Sequence, residues 1–481
     1  MDVHPMNNQF HVKDGLPKGW ARATINDLIS SGGFFVDGDW IESKDQDPKG
    51  DVRLIQLADI GDGIFRDKSH RFLTLQRALE LNCTFLKEGD VLVARMPDPL
   101  GRACIFPYKG ENKFITAVDV AVIRLGRNSI ENKFLVHSIN NRKVRNEIED
   151  LQSGTTRKRI SRANLATINF PLPPLPEQRR IVAKIEELFS DLDKGVESLK
   201  TAQQQLKVYR QAVLKWAFEG RLTNKDVKDG ELPEGWKRLK LKDIANEKDG
   251  LRRGPFGSAI KKDFFVAEGY KVYEQSNAIY NDAFRGNYFI DEKKYQELIN
   301  FNLQPGDLIV SCSGTLGRIA EIPTNAKSGV INQALLRIRL LDDIVSKKYF
   351  LYYFRSAQFQ RKIIDQSQGT AMSNLIGIKD FKEIELLIPL IEEQNRIVSE
   401  IEDRLSVCDK MEESISQSLQ QAEALRQSIL KKAFEGKLVP QDPNDEPASV
   451  LLERIRAERG KDKSVKKAKG AKQGREDKNE Q

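Results

Sequence analysis

The chain has 481 residues, 39% hydrophobic and 31% charged, which suits roughly two to four packed domains under a heavily charged surface. It has no apolar run of about 18 residues, so no membrane span is expected. The opening MDVHPMNNQFHVKDG also lacks the apolar stretch of a signal peptide. Cys83, Cys104, Cys312 and Cys408 are scattered, as are His4, His11, His70 and His137. This spacing argues against a disulfide frame or a zinc site and predicts a cytoplasmic protein with no metal of its own.

In chain order, residues 1–15 form an N-terminal extension, and LPKGW (16–20) then opens a unit that is written twice. LPKGW returns as LPEGW at 232, EQRRIV at 177 returns at 393 as EQNRIV, and LKWAFEGRL at 214 returns at 430 as LKKAFEGKL, each shifted by 216. Fainter echoes lie between these anchors. GDVLVAR at 89 resembles GDLIVSC at 306, and the pair Gly101-Arg102 resembles Gly317-Arg318. The anchors agree while the middles diverge, which suggests one scaffold carrying two different binding surfaces.

The first middle (16–170) reads as mixed α/β. Strand-like runs VLVAR (91–95), ACIFP (103–107) and DVAVIRL (119–125) precede a helical stretch at 131–151. Next comes a helical segment, 171–222, entered through FPLPPLPEQ. Ile185, Leu188, Leu192, Gly195, Leu199, Ala202, Leu206, Tyr209 and Val213 alternate by three and four, as one strand of a coiled coil does. The second middle (223–386) has strand-like DLIVSC (307–312) and ALLRIRL (334–340), then a helical stretch at 346–367. The second helical segment, 387–438, keeps the phase with a weaker seam of Ile401, Arg404, Cys408, Met411, Ile415, Ser418, Ala422, Leu425 and Ile429. About 40 residues at 1.5 Å each give a helix of roughly 60 Å. The expected fold class is α/β: two mixed α/β domains separated by a long antiparallel two-helix coiled coil, with an internal repeat of 216 residues. Residues 439–481 are expected to be a basic disordered tail, because 453–481 carries 11 Lys and Arg against 6 Asp and Glu out of a net charge of +8.

No catalytic signature survives a search. There is no GxxxxGK[ST] phosphate loop, no GxGxxG, no HExxH, no GxSxG and no adenine-methyltransferase tetrapeptide; PLPPLP lacks both ends of the last. Asp39, Glu42 and Lys44 are the nearest approach to a nuclease core. A binding component is therefore expected, with no catalytic residue.

The strongest binding candidate is QSGTTRKRISRANL. Arg157, Lys158, Arg159 and Arg162 supply positive charge without an acid, Ser153, Thr155 and Thr156 offer hydroxyls, and Gly154 allows close approach. Such a set suits phosphate contact, and Arg can read guanine edges; its plainer reading is a solvated loop. Gly369 and Thr370 hold the same place in the second unit without the charges. There, LRRGPFGSAIKKDFF presents Arg252, Arg253, Gly254, Phe256, Gly257, Ser258 and Lys261, and CSGTLGRIA presents Ser313, Thr315 and Arg318.

Together SGTTRKRISRANLATINFPLPPLPEQRRIVAKIEEL, the LPxGW openings, the AFEGxL helix ends and the half-repeat resemble the specificity subunits of type I restriction–modification systems, over about residues 15 to 440. DGDWIESKD, with Asp39, Trp40 and Lys44, and GPFGSAI resemble that family's target-recognition segments; Arg102 stands where Arg318 does. The resemblance implies two target recognition domains, each reading half of a bipartite DNA target, here two unlike halves. It implies no cofactor in this chain; S-adenosylmethionine, ATP and magnesium belong to partner subunits. The partners implied are double-stranded DNA, two methyltransferase subunits that dock on the helices, and restriction subunits, with no membrane. The helix starts Gln178, Arg180, Ile181 and Gln394, Arg396, Ile397 are the expected docking residues. Two other classes compete: an enzyme with an unfamiliar site, and a coiled-coil adaptor or scaffold with no direct DNA role.

Overall fold

The computed structural model describes residues 15–97, 100–127, 129–154, 158–224, 226–228, 231–365 and 374–461. The chain forms two compact units, Met1–Glu197 with Leu419–Gln481, and Ser198–Ser418.

The first unit is built on a four-stranded antiparallel sheet in the order Phe34–Asp37, Val120–Arg124, Val91–Ala94, Ala103–Ile105. The central strands are apolar on both faces because both are covered, and successive side chains point to opposite sides. Val91, Val93, Ala121 and Ile123 enter the main core beneath the helix Asn132–Asn140. Leu92, Ala94, Val120 and Val122 enter a second core with Ile55, Cys104 and Phe106. A smaller sheet orders Arg71–Leu73, Val52–Ile55 and Phe114–Thr116. Ala21–Thr24 pairs antiparallel with Asn169–Leu172 and closes the unit, so the expected boundary at 170 falls inside a strand.

The second unit repeats this plan. Its four-stranded sheet orders Leu251–Arg253, Leu335–Ile338, Leu308–Ser311, Ile319–Glu321. Phe34, Val91, Ala103 and Val120 begin strands whose counterparts begin at Leu251, Leu308, Ile319 and Leu335, so the repeat seen in sequence is a repeat of fold. The smaller sheet gains a strand, Asn302–Leu303, and Lys237–Lys240 pairs with Glu385–Ile388 as the closing ribbon.

Two helices of 44 residues, Leu175–Phe218 and Ile391–Phe434, supply the expected coiled coil. In the first unit Asp193 meets Arg426. In the second, Arg210 pairs with Asp409 at 2.6 Å. Residue number rises along one helix as it falls along the other, so the pair is antiparallel. The expected seam holds at Ile185, Val213, Ile401, Cys408, Ile415 and Ile429, which are buried. It fails at Tyr209, Met411 and Leu425, exposed at 38%, 52% and 51%, and Gly195 also faces solvent. A two-stranded pair covers one stripe of each helix, and these positions drift off it.

The disordered tail needs correction over part of its length. Residues 448–461 form a helix whose Ala448, Leu451, Leu452 and Ile455 are buried in the first unit's main core with Ile181, Ile185, Leu430 and Ala433. The steps of three, one and three place these four on one helical face. Residues 462–481 lie outside the described set.

Candidate nucleic-acid interface

The most faithfully repeated residues turn inward. Gln178 is fully buried; its carbonyl accepts the Glu131 backbone N–H at 3.1 Å and its amide donates to the Pro173 carbonyl at 2.9 Å. Gln394 does the same in the second unit, accepting from Ser346 N–H at 2.7 Å and donating to the Pro389 and Ile344 carbonyls at 2.8 and 2.9 Å. Ile181 and Ile397 have no exposed surface. These four expected docking residues are therefore corrected: they lock each helix start to its own domain and present nothing to a partner. Arg180 and Arg396 remain at the surface, paired with Asp445 at 2.6 Å and Glu393 at 3.2 Å.

The other anchors meet at the same joints. Trp20 Nε1 donates to Glu177 at 3.1 Å. A Cβ on Gly436 would stand 2.5 Å from Pro17 and 3.4 Å from Trp20. In the second unit Glu393 takes hydrogen bonds from Thr223 and Asn224, and a Cβ on Gly220 would stand 2.2 Å from Pro233 and 3.4 Å from Trp236. Gly220 and Gly436 also have φ of +78° and +69°, as C-terminal helix glycines do.

What differs between the units gathers at one end of each main sheet. In the first, Ser153 and Arg159 exchange backbone hydrogen bonds of 2.8 and 2.9 Å at the base of the candidate basic loop, with Gly154 at φ +98°. Lys158 and Arg159 project into solvent. Thr155, Thr156 and Arg157 lie outside the described residues. Arg95 fixes the loop to the sheet, since its backbone carbonyl accepts Ile160 N–H at 3.0 Å while its guanidinium donates to Ile160 O at 3.1 Å and to Asp37 at 2.5 Å. Arg162, half-exposed, donates to Phe35 O at 2.8 Å and sits 3.7 Å from Asp37. The sequence marks Arg95 with no basic cluster or glycine turn, and Asp37 opens the DGDWIESKD segment without standing out from its other acids.

Asp39 is a bracket rather than a contact residue. Both its oxygens accept Thr84 N–H at 3.1 Å, and burial pushes its carboxyl up to about 6 against that hydrogen bond. Trp40 beside it is open to solvent, and Lys44 is exposed and paired with Glu42 at 2.7 Å. Arg102 needs a firmer correction. It is buried, and it donates to the Leu57 carbonyl at 2.9 Å, out of reach of a phosphate.

In the second unit Arg318, at the matching position, is exposed. Its loop is held by Ser311 Oγ, which accepts Arg318 N–H at 3.0 Å and donates to Thr315 O at 2.6 Å. Ser313 donates to Gln275 at 3.0 Å, and Thr315 is exposed. Arg253, Ser258 and Lys261 are exposed, with Gly257 opening the short turn Gly257–Ala259. Arg252 is half-exposed, 3.9 Å from Asp249. Gly254 serves packing, because a Cβ there would stand 1.8 Å from the Asn332 carbonyl. Phe256 is 90% exposed. Gly369 and Thr370 lie outside the described residues. Among the described residues no group of three His, Cys, Asp or Glu side chains could hold a metal ion, and all four cysteines are buried and unpaired.

The profile of the type I restriction modification DNA specificity domain matches twice, over residues 17–207 and 233–421. The chain belongs to this family. Among curated members, the EcoKI specificity subunit of Escherichia coli K12 is 29% identical over 355 residues, 70% of this chain and 74% of that one. The EcoBI specificity subunit of Escherichia coli is 30% identical over 340 residues, 66% of this chain and 70% of that one. The HsdS subunit of Thermoanaerobacter tengcongensis superposes with TM-score 0.53 at 19% identity, covering 88% of this chain and 98% of that one. A chain from a structure of type I restriction–modification complex assembly and conformational transition gives TM-score 0.64 at 20% identity, covering 88% and 99%. These two likenesses speak for the fold. The specificity subunit is the non-catalytic, DNA-recognising part of its system, and its two specificity domains coincide with the two repeated halves. No described helix is long and apolar enough to cross a membrane.

Proposed function

We propose that each unit of this specificity subunit reads one half of a bipartite, asymmetric DNA target. The reading rests above all on one fold built twice with unlike sheet-end loops: the arginine of the Gly-Arg pair is buried at Arg102 and exposed at Arg318. In the first unit, Lys158, Arg159 and the half-exposed Arg162 supply phosphate contacts that fix register. In the second, Arg253, Lys261 and Arg318 do so, while groove contacts specify the sequence.

The long helices separate the two readers and dock two methyltransferase subunits, with restriction subunits attached through them. The chain itself takes no cofactor; S-adenosylmethionine, ATP and magnesium act in the partners. The adenine to be methylated leaves the base stack for the partner's pocket. The test is a genome-wide map of N6-methyladenine with and without this gene. Loss of one bipartite, asymmetric methylated motif on deletion is expected; survival of every motif in a host that expresses the whole system overturns the assignment.

A further inference from the structure

The two most exposed large hydrophobic side chains among the described residues are Phe256, at 90%, and Trp40, at 71%. They stand 216 positions apart, the offset of the repeat itself. Their settings match closely. Each follows an edge strand of the main sheet, Leu251–Arg253 or Phe34–Asp37. Each comes two residues after a glycine pressed on a neighbouring backbone carbonyl: a Cβ on Gly254 would stand 1.8 Å from Asn332 O, and one on Gly38 would stand 2.1 Å from Ala117 O. Asn332 and Ala117 themselves follow matching strands, Gly329–Ile331 and Phe114–Thr116. Two units that share almost nothing else in their loops thus build the same support and use it to hold an aromatic ring in water.

Packing gives no reason for this, since a ring in solvent forgoes the favourable free energy of burial. A nucleobase freed from the duplex stack gives one, because an unstacked base offers a π-face and aromatic stacking tolerates any sequence. The charge around Phe256 suits a polyanion. Arg253, Lys261 and Lys262 are exposed on the same segment, and none makes an ion pair among the described residues. A cleft of about 230 Å³ beside Phe256 is lined by Phe265, Tyr288, Asn332, Gln333 and Glu274. Tyr288 stacks on Phe265 at 4.6 Å, and Arg285 lies 4.2 Å over the exposed Tyr280 in the same unit. Aromatic rings interleaved with cations are the composition of a surface that holds bases as well as phosphates. Exposed Gln333 sits at the cleft rim, with an amide of the kind that pairs with adenine edges.

We propose that Phe256 and Trp40 are the base-stacking contacts of the two units, each packing its ring on one nucleobase of its own half-site. This rests on the DNA-recognition reading above and adds a role that phosphate contacts do not provide. Stacking adds affinity without releasing counterions, so it leaves the salt dependence of binding unchanged.

The experiment uses the assembled complex of specificity and methyltransferase subunits and duplexes carrying the target found by methylation mapping. Phe256→Ala is expected to weaken specific binding roughly 5- to 100-fold. The slope of log affinity against log salt should not change, and Phe256→Trp should restore binding. An abasic substitution at one position of the second unit's half-site should cost the wild type the same factor and cost Phe256→Ala nothing further. Trp40→Ala should behave alike in the other half-site only, with Trp40→Phe as its rescue. Wild-type affinity in both alanine variants overturns the proposal while leaving DNA recognition intact. So does a loss that comes with a shallower salt slope, or an abasic scan that ignores the variants. A complex that binds no duplex selectively removes the recognition reading, and this proposal with it.

Discussion

Replacing Gln178 by Met separates two accounts of the repeated helix start. Methionine keeps the volume but neither donates nor accepts as the amide does. It strands the Glu131 N–H and the Pro173 carbonyl, now satisfied at 3.1 and 2.9 Å in a fully buried site. Each stranded group costs about 1–3 kcal/mol, so the first unit should lose roughly 2–6 kcal/mol. For a unit of this size about 2–4 °C is lost per kcal/mol, a fall in Tm of roughly 5–20 °C. Gln394→Met strands three groups, Ser346 N–H and the Ile344 and Pro389 carbonyls, and should cost the second unit at least as much. Calorimetry of the purified chain reads the loss. Amide hydrogen exchange assigns it, because Glu131 N–H should lose protection in one variant and Ser346 N–H in the other. If Gln178→Met melts as the wild type does yet no longer copurifies with methyltransferase subunits, the bracket account is wrong and the residue is a docking contact after all.

Four further outcomes are expected. Gly220→Ala puts a methyl 2.2 Å from Pro233 at φ +78°, and should cost about 1–2 kcal/mol for the backbone alone, more once Pro233 is displaced, measured by urea unfolding. His137 packs edge-on to Phe189 at 5.8 Å, and burial holds its imidazole down to about 4, with Lys133 and Arg426 adding to the effect and Glu186 opposing it. The unfolded chain therefore takes up a proton between its ordinary value of 6.5 and about 4 that the folded chain refuses. Stability should fall as pH drops through that window, by at most about 3 kcal/mol, and the slope should flatten in His137→Phe; an unchanged slope refutes it. Arg318→Ala should leave Tm unchanged, weaken DNA binding by the complex and lower the salt slope by about 1. Arg102→Ala should instead lower the first unit's Tm, because its guanidinium serves the interior.

The scaffold was legible because it is written in patterns that burial enforces. VLVA and VAVI are apolar throughout because two cores grip them from opposite faces, and the halves could be aligned because their joints repeat. The candidate site was less legible, since charge in a sequence does not tell where a side chain points. Arg102 and Arg318 share a Gly-Arg pair and a sheet end, yet one is buried and the other exposed. Gln178 was an expected docking residue through the family resemblance, and the fold gives its amide a different task, holding two buried backbone groups. The helix at 448–461 did carry a signal, an i, i+3, i+4, i+7 apolar set, hidden by the charge count of the segment around it. Arg95 carried none, as its task is set by Asp37 and Ile160, partners that only the fold brings to it.

The joints also explain where the halves are free to differ. Each joins three segments: an LPxGW opening, a helix start and a helix end. In the second unit the helix end and the opening are near neighbours in sequence, Gly220 against Pro233 and Trp236. In the first they come from opposite ends of the chain, Gly436 against Pro17 and Trp20, with Glu177 bonded to the same tryptophan. A side chain at either glycine meets a proline ring, and a change at the helix starts strands a buried group, so both copies are held to one solution. The exposed side chains of the sheet-end loops meet no such constraint, although Gly38 and Gly254 at the base of those loops do. Lys158, Arg159 and Arg318 hold no joint together, and the loops that carry them can lengthen, shorten or change charge while both cores stay closed. A recognition protein with two readers needs that division: rigid joints that keep each reader in place, and loops that can be rewritten one half at a time.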